Sequence, residues 1–226
     1  KHFLPEMIEK LWAARDVAKK NNNKAFSQAI KIIMNSFYGV LGSSGCRFFD
    51  TRLASSITMR GHEIMKQTKK LIEAQGYQVI YGDTDSCYFS GYPTLKSEID
   101  AGNLPWDKDN VITLYDQVCE AANATFPDFM MQAFHCPRSR SDVIAAAREI
   151  VAESGLYITK KRYAALVYDN EGKREDKDGK PGKVKAMGLD LRRSDTPVFM
   201  QDFLKELLFS SGIVSVILIP IPGFVP

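Results

Sequence analysis

The sequence predicts an α+β fold, and three observations predict it. Apolar residues recur at helical spacing through most of residues 5–75. β-forming residues alternate on both sides of "GDTD" at Gly82–Asp85, and further β-rich runs flank a charged loop at residues 169–182. Helical signal gathered at one end, with strand signal in hairpin-like pairs, is the α+β pattern. At 226 residues, with 45% hydrophobic and 25% charged, the chain suits one large domain or two small ones, and its composition argues against disorder.

Pro5–Lys20 reads as the first helix. Met7, Ile8, Leu11, Trp12 and Ala18 share one arc, with Glu6, Glu9, Asp16 and Lys20 opposite. Arg15 and Lys19 fall inside the apolar-side arc, where long cations either snorkel outward or face something other than bulk water. After a polar turn at Asn21–Lys24, a second helix runs from Ala25 to Tyr38. Its pattern buries Phe26, Ile30, Ile33, Met34 and Phe37 and stacks Lys24, Gln28, Lys31, Asn35 and Tyr38 on the other face. The short link makes these helices an antiparallel pair. A stripe of cations, amides and an aromatic ring suits phosphates and bases.

Gly39, Gly42 and Gly45 are expected to end that helix. A third, long helix follows from Leu53 to Gln75, and Tyr77–Tyr81 and Cys87–Ser90 form a hairpin. Residues 91–110 read as a loop-rich connection, Val111–Phe134 as a helix interrupted at Pro127, and Ser141–Arg148 as a short helix. Leu156–Tyr168 and Lys183–Leu191 read as paired strands around "DNEGKREDKDGKPG", a loop expected to be solvated and mobile. A last helix begins at Thr196-Pro197. The apolar tail from Ile213 has no functional reading, and as exposed surface it would lower solubility.

Net charge is +3, but its distribution is uneven. Residues 1–80 hold thirteen basic and six acidic side chains, whereas residues 81–150 hold five and eleven. That suits a polyanion gripped beside a metal, or simply two differently charged solvated faces. Cys46, Cys87, Cys119 and Cys136 lack C-x-x-C spacing, which argues against zinc and a disulfide framework and for a reducing, intracellular setting. The three histidines show no ligand spacing. The apolar tail is shorter than the ~20 residues a membrane span needs. Opening on Lys1 rather than Met reads as a cut end.

The chemistry centres on Asp83 and Asp85. Their shared strand parity would send both carboxylates out on one side, and Gly82 would give the turn its freedom. Paired carboxylates are hard ligands for Mg²⁺. A solvent-exposed turn also favours Asp, Thr and Gly, and metal-dependent glycosyltransferases use D-x-D as well.

"KIIMNSFYG" at Lys31–Gly39, "YGDTDS" at Tyr81–Ser86 and "KKRYA" at Lys160–Ala164, in that order, resemble the signature of family B DNA polymerases. The resemblance covers about residues 3–208. It implies fingers helices over 1–40, a palm with a small antiparallel sheet over 41–194, and the start of a thumb over 195–226. Arg15, Lys19 and Lys31 would grip an incoming triphosphate. Asn35 and Tyr38 would contact the nascent base pair, with Gly39 letting the backbone come close. Asp85 would ligate metal directly beside Asp83. Glu149 would be a further palm acid, or else a solvated glutamate at a helix end. Lys161 and Arg162 would lie along the primer-terminal duplex, with Tyr163 packed rather than catalytic. The resemblance further implies two Mg²⁺ ions, primer-template DNA and dNTP as substrates, and the cytoplasm of a bacterial or phage-infected cell.

The family also needs a palm aspartate in a D-x-x-S-L-Y-P-type motif, together with an exonuclease domain, and neither is in this sequence. The isolated chain is therefore expected to be inactive or nearly so. It would be a fragment of a polymerase, one half of a split enzyme whose second polypeptide carries the missing aspartate, or a non-catalytic remnant that binds primer-template DNA.

Overall fold

The computed structural model describes residues 3–179, 181–190, 193–210 and 216–220. Among the described residues, six α-helices and seven strands make up this α+β structure. The chain divides into two compact units, one running to His62 and the other beginning at Glu63.

In the first unit, α1 (Phe3–Lys20) packs on α2 (Lys24–Gly42). The chain reverses through Asn21–Asn23, with Asn22 in the left-handed region, and Asn23 caps α2 by accepting from the Phe26 amide at 3.1 Å. α2 continues through Gly39 to Gly42, because a glycine inside a helix weakens it without ending it. Its packed face is Ser27, Ile30, Met34 and Leu41. Phe26 and Ile33, expected to be buried, are exposed. The buried stripe is thus rotated toward Tyr38, whose hydroxyl pairs with that of Thr58 at 3.0 Å on α3 (Thr51–Ala74). Asp50 caps α3 by accepting from the Arg52 and Leu53 amides.

The second unit is built on an antiparallel sheet, with order β1-β2-β7-β3-β4-β5 and β6 paired to β4. Its strands are β1 (Gln78–Asp83), β2 (Ser86–Ser90), β3 (Ile150–Thr159), β4 (Arg162–Asn170), β5 (Lys173–Arg174), β6 (Lys183–Met187) and β7 (Val216–Pro220). Both faces carry buried side chains. Cys87, Phe89, Val151 and Tyr168 join Ile64, Ile72, Tyr115 and Phe126 in the larger core. The alternate residues Tyr88, Ile150, Ala152, Tyr163, Ala165 and Val167 form a second cluster with Tyr81 and Tyr157. The strand period of two explains the division.

Several expectations are corrected here. Residues within 91–110 form a helix, α4 (Tyr92–Asp100), started by Pro93 in its first turn and closed by Lys96 paired with Asp100. α5 (Lys108–Phe134) runs through Pro127, held by buried Phe126 and Met130. Ser141–Arg148 is not a helix. Asn123 of α5 takes both the amide and the carbonyl of Ala146, offering that backbone partners outside a helical ladder. Leu156–Tyr168 is not one strand but a hairpin, reversing at Lys160–Lys161. The charged loop is tied down at its middle: Asp176, 8% exposed at its side chain, pairs with Lys108 at 2.9 Å and Arg174 at 2.8 Å. α6 (Val198–Ser210) begins where the Thr-Pro pair predicts. Of the tail, only Val216–Pro220 is described; its backbone pairs with β2 on one side and β3 on the other.

Candidate functional site

The β1–β2 turn places the two aspartates. Asp83 ends β1 opposite Ser86, leaving Thr84 and Asp85 as the turn itself. The left-handed conformation falls on Thr84 (φ 48°), not on Gly82. Local bonds stabilise it: the Asp85 amide donates to the Asp83 carbonyl at 2.6 Å, and the Thr84 and Ser86 hydroxyls donate to Asp83 at 3.1 and 3.0 Å. Asp85 lies in the turn rather than on a strand, so strand parity does not aim its side chain. Both aspartates are half-buried, and among the described residues neither forms an ion pair. Burial raises the Asp85 carboxyl above its ordinary value, and repulsion from Glu149 and Asp83 pushes the same way.

Glu149 lies just ahead of β3 rather than at a helix end, and it pairs with Lys185 of β6 at 2.7 Å. Among the described residues, no three or more His, Cys, Asp or Glu side chains gather closely enough to hold a metal ion. The expected trio of Asp83, Asp85 and Glu149 is therefore not a ready-made cage, since unneutralised carboxylates repel and Glu149 has a cation of its own. The remaining pair fits a hard divalent cation that completes its shell with water and phosphate oxygens. Beside Glu149, Arg148 is 7% exposed at its side chain, donates to Asp116 at 2.7 Å, and pairs with buried Asp169. This triad, buried at Arg148 and Asp169 and half-exposed at Asp116, fixes the approach to β3. Neither Arg148 nor Lys185 carried a sequence signal, because each is defined by partners far along the chain.

Lys161 and Arg162 stand exposed where β3 turns into β4. Lys161 is left-handed (φ 60°), and its amide donates to the Tyr81 hydroxyl at 2.6 Å. Arg162 donates through Nε to the Gly188 carbonyl at 3.2 Å. Tyr163 is packed in the second core, 4% exposed. In the first unit, Arg15 is half-buried and its Nε is buried with no hydrogen-bond partner. Lys19, Lys31 and Asn35 are exposed, and Tyr38 is half-buried. Lys31, Asn35 and Tyr38 keep one face of α2 by their spacing. A Cβ at Gly39 would meet nothing within 4 Å, so space is open there.

Residues 2–100 match the family model of DNA polymerase family B, a span that includes the α1 and α2 residues and both aspartates but not Glu149, Lys161 or Arg162. DNA polymerase II of Escherichia coli K12 is 42% identical over 208 residues, 92% of this chain and 24% of that protein. The rice DNA polymerase delta catalytic subunit is 30% identical over 229 residues, 92% of this chain and 18% of its own length. The DNA-directed DNA polymerase of Escherichia phage RB69 is 29% identical over 197 residues, 79% of this chain and 21% of that polymerase. The chain spans about a quarter or less of these relatives. On that 42% identity over 92% of its length, with the family match over residues 2–100, the chain belongs to DNA polymerase family B.

Proposed function

We propose that this chain is the fingers and palm part, with the start of a thumb, of a DNA-directed DNA polymerase. The observation that carries the reading is the half-buried Asp83/Asp85 turn, whose charge no cation of the protein neutralises among the described residues. The three relatives described above, each a DNA polymerase, support it.

In such a reaction a primer 3′ hydroxyl attacks the α-phosphate of a dNTP and pyrophosphate departs, so the protein's work is positioning and charge neutralisation. Two bound Mg²⁺ ions would supply a lower hydroxyl pKa and charge stabilisation on the leaving group. Asp83 and Asp85 would hold them, with Glu149 contributing once Lys185 releases it. Arg15, whose guanidinium keeps a donor unused, would grip the triphosphate with Lys19 and Lys31. Asn35, Tyr38 and the open backbone at Gly39 would shape the pocket for the nascent base pair. Lys161 and Arg162 would hold the duplex behind the primer terminus. No side-chain nucleophile is needed.

The absent D-x-x-S-L-Y-P aspartate predicts that the chain alone extends primers no better than its Asp85→Ala variant. Supplied with a polypeptide carrying that motif, wild type should gain primer extension and the variant should not. Mn²⁺ binding, followed by electron paramagnetic resonance, should be present in wild type and lost in Asp83→Asn/Asp85→Asn. Failure to bind Mn²⁺ would sink the metal assignment. Metal and duplex binding without extension in any combination would instead leave a DNA-binding remnant.

A further inference from the structure

The Asp83/Asp85 turn and the Lys160–Arg162 turn belong to different hairpins, with β7 paired between β2 and β3. A side chain bridges them directly. The Tyr81 hydroxyl, two residues before Asp83, accepts the Lys161 amide at 2.6 Å across 80 residues of sequence. We infer that Tyr81 is a positioning residue, whose hydroxyl sets the Lys160–Arg162 turn at a fixed place relative to the carboxylate turn.

Three features make this more than a chance contact. Lys161 adopts a left-handed conformation unfavourable to a residue with a Cβ, so something must hold it there. Gly188 approaches so closely that a Cβ on it would overlap the Lys161 carbonyl. The turn is thus bonded at its amide by Tyr81 and closely approached at its carbonyl by Gly188. Finally, the Tyr81 ring is itself fixed, lying 5.4, 5.4 and 5.8 Å from the rings of Tyr88, Tyr157 and Tyr163. Tyr157, within the same cluster, has a buried hydroxyl without a partner. Of these two hydroxyls, that of Tyr81 reaches the turn. Given the polymerase reading, on which its consequence rests, the latch fixes the spacing between the group that holds metal and the group that holds duplex.

The test uses the whole chain with Tyr81→Phe, and Tyr157→Phe as a control that removes a hydroxyl with no partner. Amide hydrogen exchange at Lys161 should accelerate about tenfold in Tyr81→Phe, the scale of one lost hydrogen bond. The remaining β3 and β4 amides should be unchanged, as should all of them in Tyr157→Phe. Affinity for a primer-template duplex should fall several-fold in Tyr81→Phe while single-strand affinity holds. A merely structural role would instead speed exchange along both strands and weaken both affinities. Unchanged Lys161 exchange overturns the latch, and accelerated exchange with unchanged duplex affinity overturns its positioning role. If wild type binds no duplex, the polymerase reading fails, and the exchange result alone still judges the latch.

Discussion

At Asp85 the chemistry leaves a mark on stability. Its carboxyl is raised on folding, first by burial and then by Glu149 and Asp83. The folded protein therefore binds this proton more tightly than the unfolded chain. The contribution of Asp85 to stability is greatest below the ordinary carboxylate value of 3.8 and falls as pH rises through the folded value. Asp85→Asn abolishes that loss. In metal-free buffer the variant should be more stable than wild type at pH 7, by a few tenths to about 1 kcal/mol because solvent screens a half-buried group. Urea titrations at pH 7 and pH 3.5 would show it, with the difference closing at the lower pH. Added Mg²⁺ should then stabilise wild type but not Asp85→Asn, since only binding to the folded state shifts the equilibrium. Equal stability of the two proteins at pH 7 would mean that the carboxylate is not held at a cost.

Among the elements, the β3–β4 hairpin shows how position arises from packing. Its turn depends on Gly188, a glycine with φ 63° whose missing Cβ makes room for the Lys161 carbonyl. Gly188→Ala combines a disfavoured conformation with a direct overlap, so it should cost about 1–3 kcal/mol in a denaturant titration. Gly172→Ala is the comparison, because φ there is 81° but nothing lies within 4 Å of a new Cβ. A similar loss in both would mean that backbone strain alone sets the cost. The same hairpin marks the limit of sequence reading. α3 and the β1–β2 hairpin were legible because apolar period and turn residues are local. The turn at Lys160–Lys161 was not, since it lacks Gly, Pro, Asn or Asp and its left-handed residue is held by a tyrosine 80 positions away. Ser141–Arg148 looked helical for the converse reason: its propensity is local, but Asn123, 23 residues earlier, captures its backbone.

Over the whole molecule, charge assigns different work to different cations. In the candidate site, residue types and spacings were readable, whereas pairings such as Glu149 with Lys185, 36 residues apart, were not. Exposed Lys161 and Arg162 are proposed to neutralise duplex phosphates, while Arg15 and Lys31 are reserved for a triphosphate. This division predicts distinct salt responses. For each phosphate a protein neutralises on a duplex, counterion release gives a slope of about −0.9 in log affinity against log salt. Lys161→Ala/Arg162→Ala should therefore weaken duplex binding and flatten the slope by roughly 2. Arg15→Ala/Lys31→Ala, measured without nucleotide, should leave the slope as it is in wild type. Fluorescence anisotropy of a labelled primer-template across a salt series separates the two. If the first pair leaves the slope unchanged, its cations do not touch the duplex. If the second pair flattens it instead, the α1 and α2 stripe is the DNA-gripping surface, and the triphosphate must be held elsewhere.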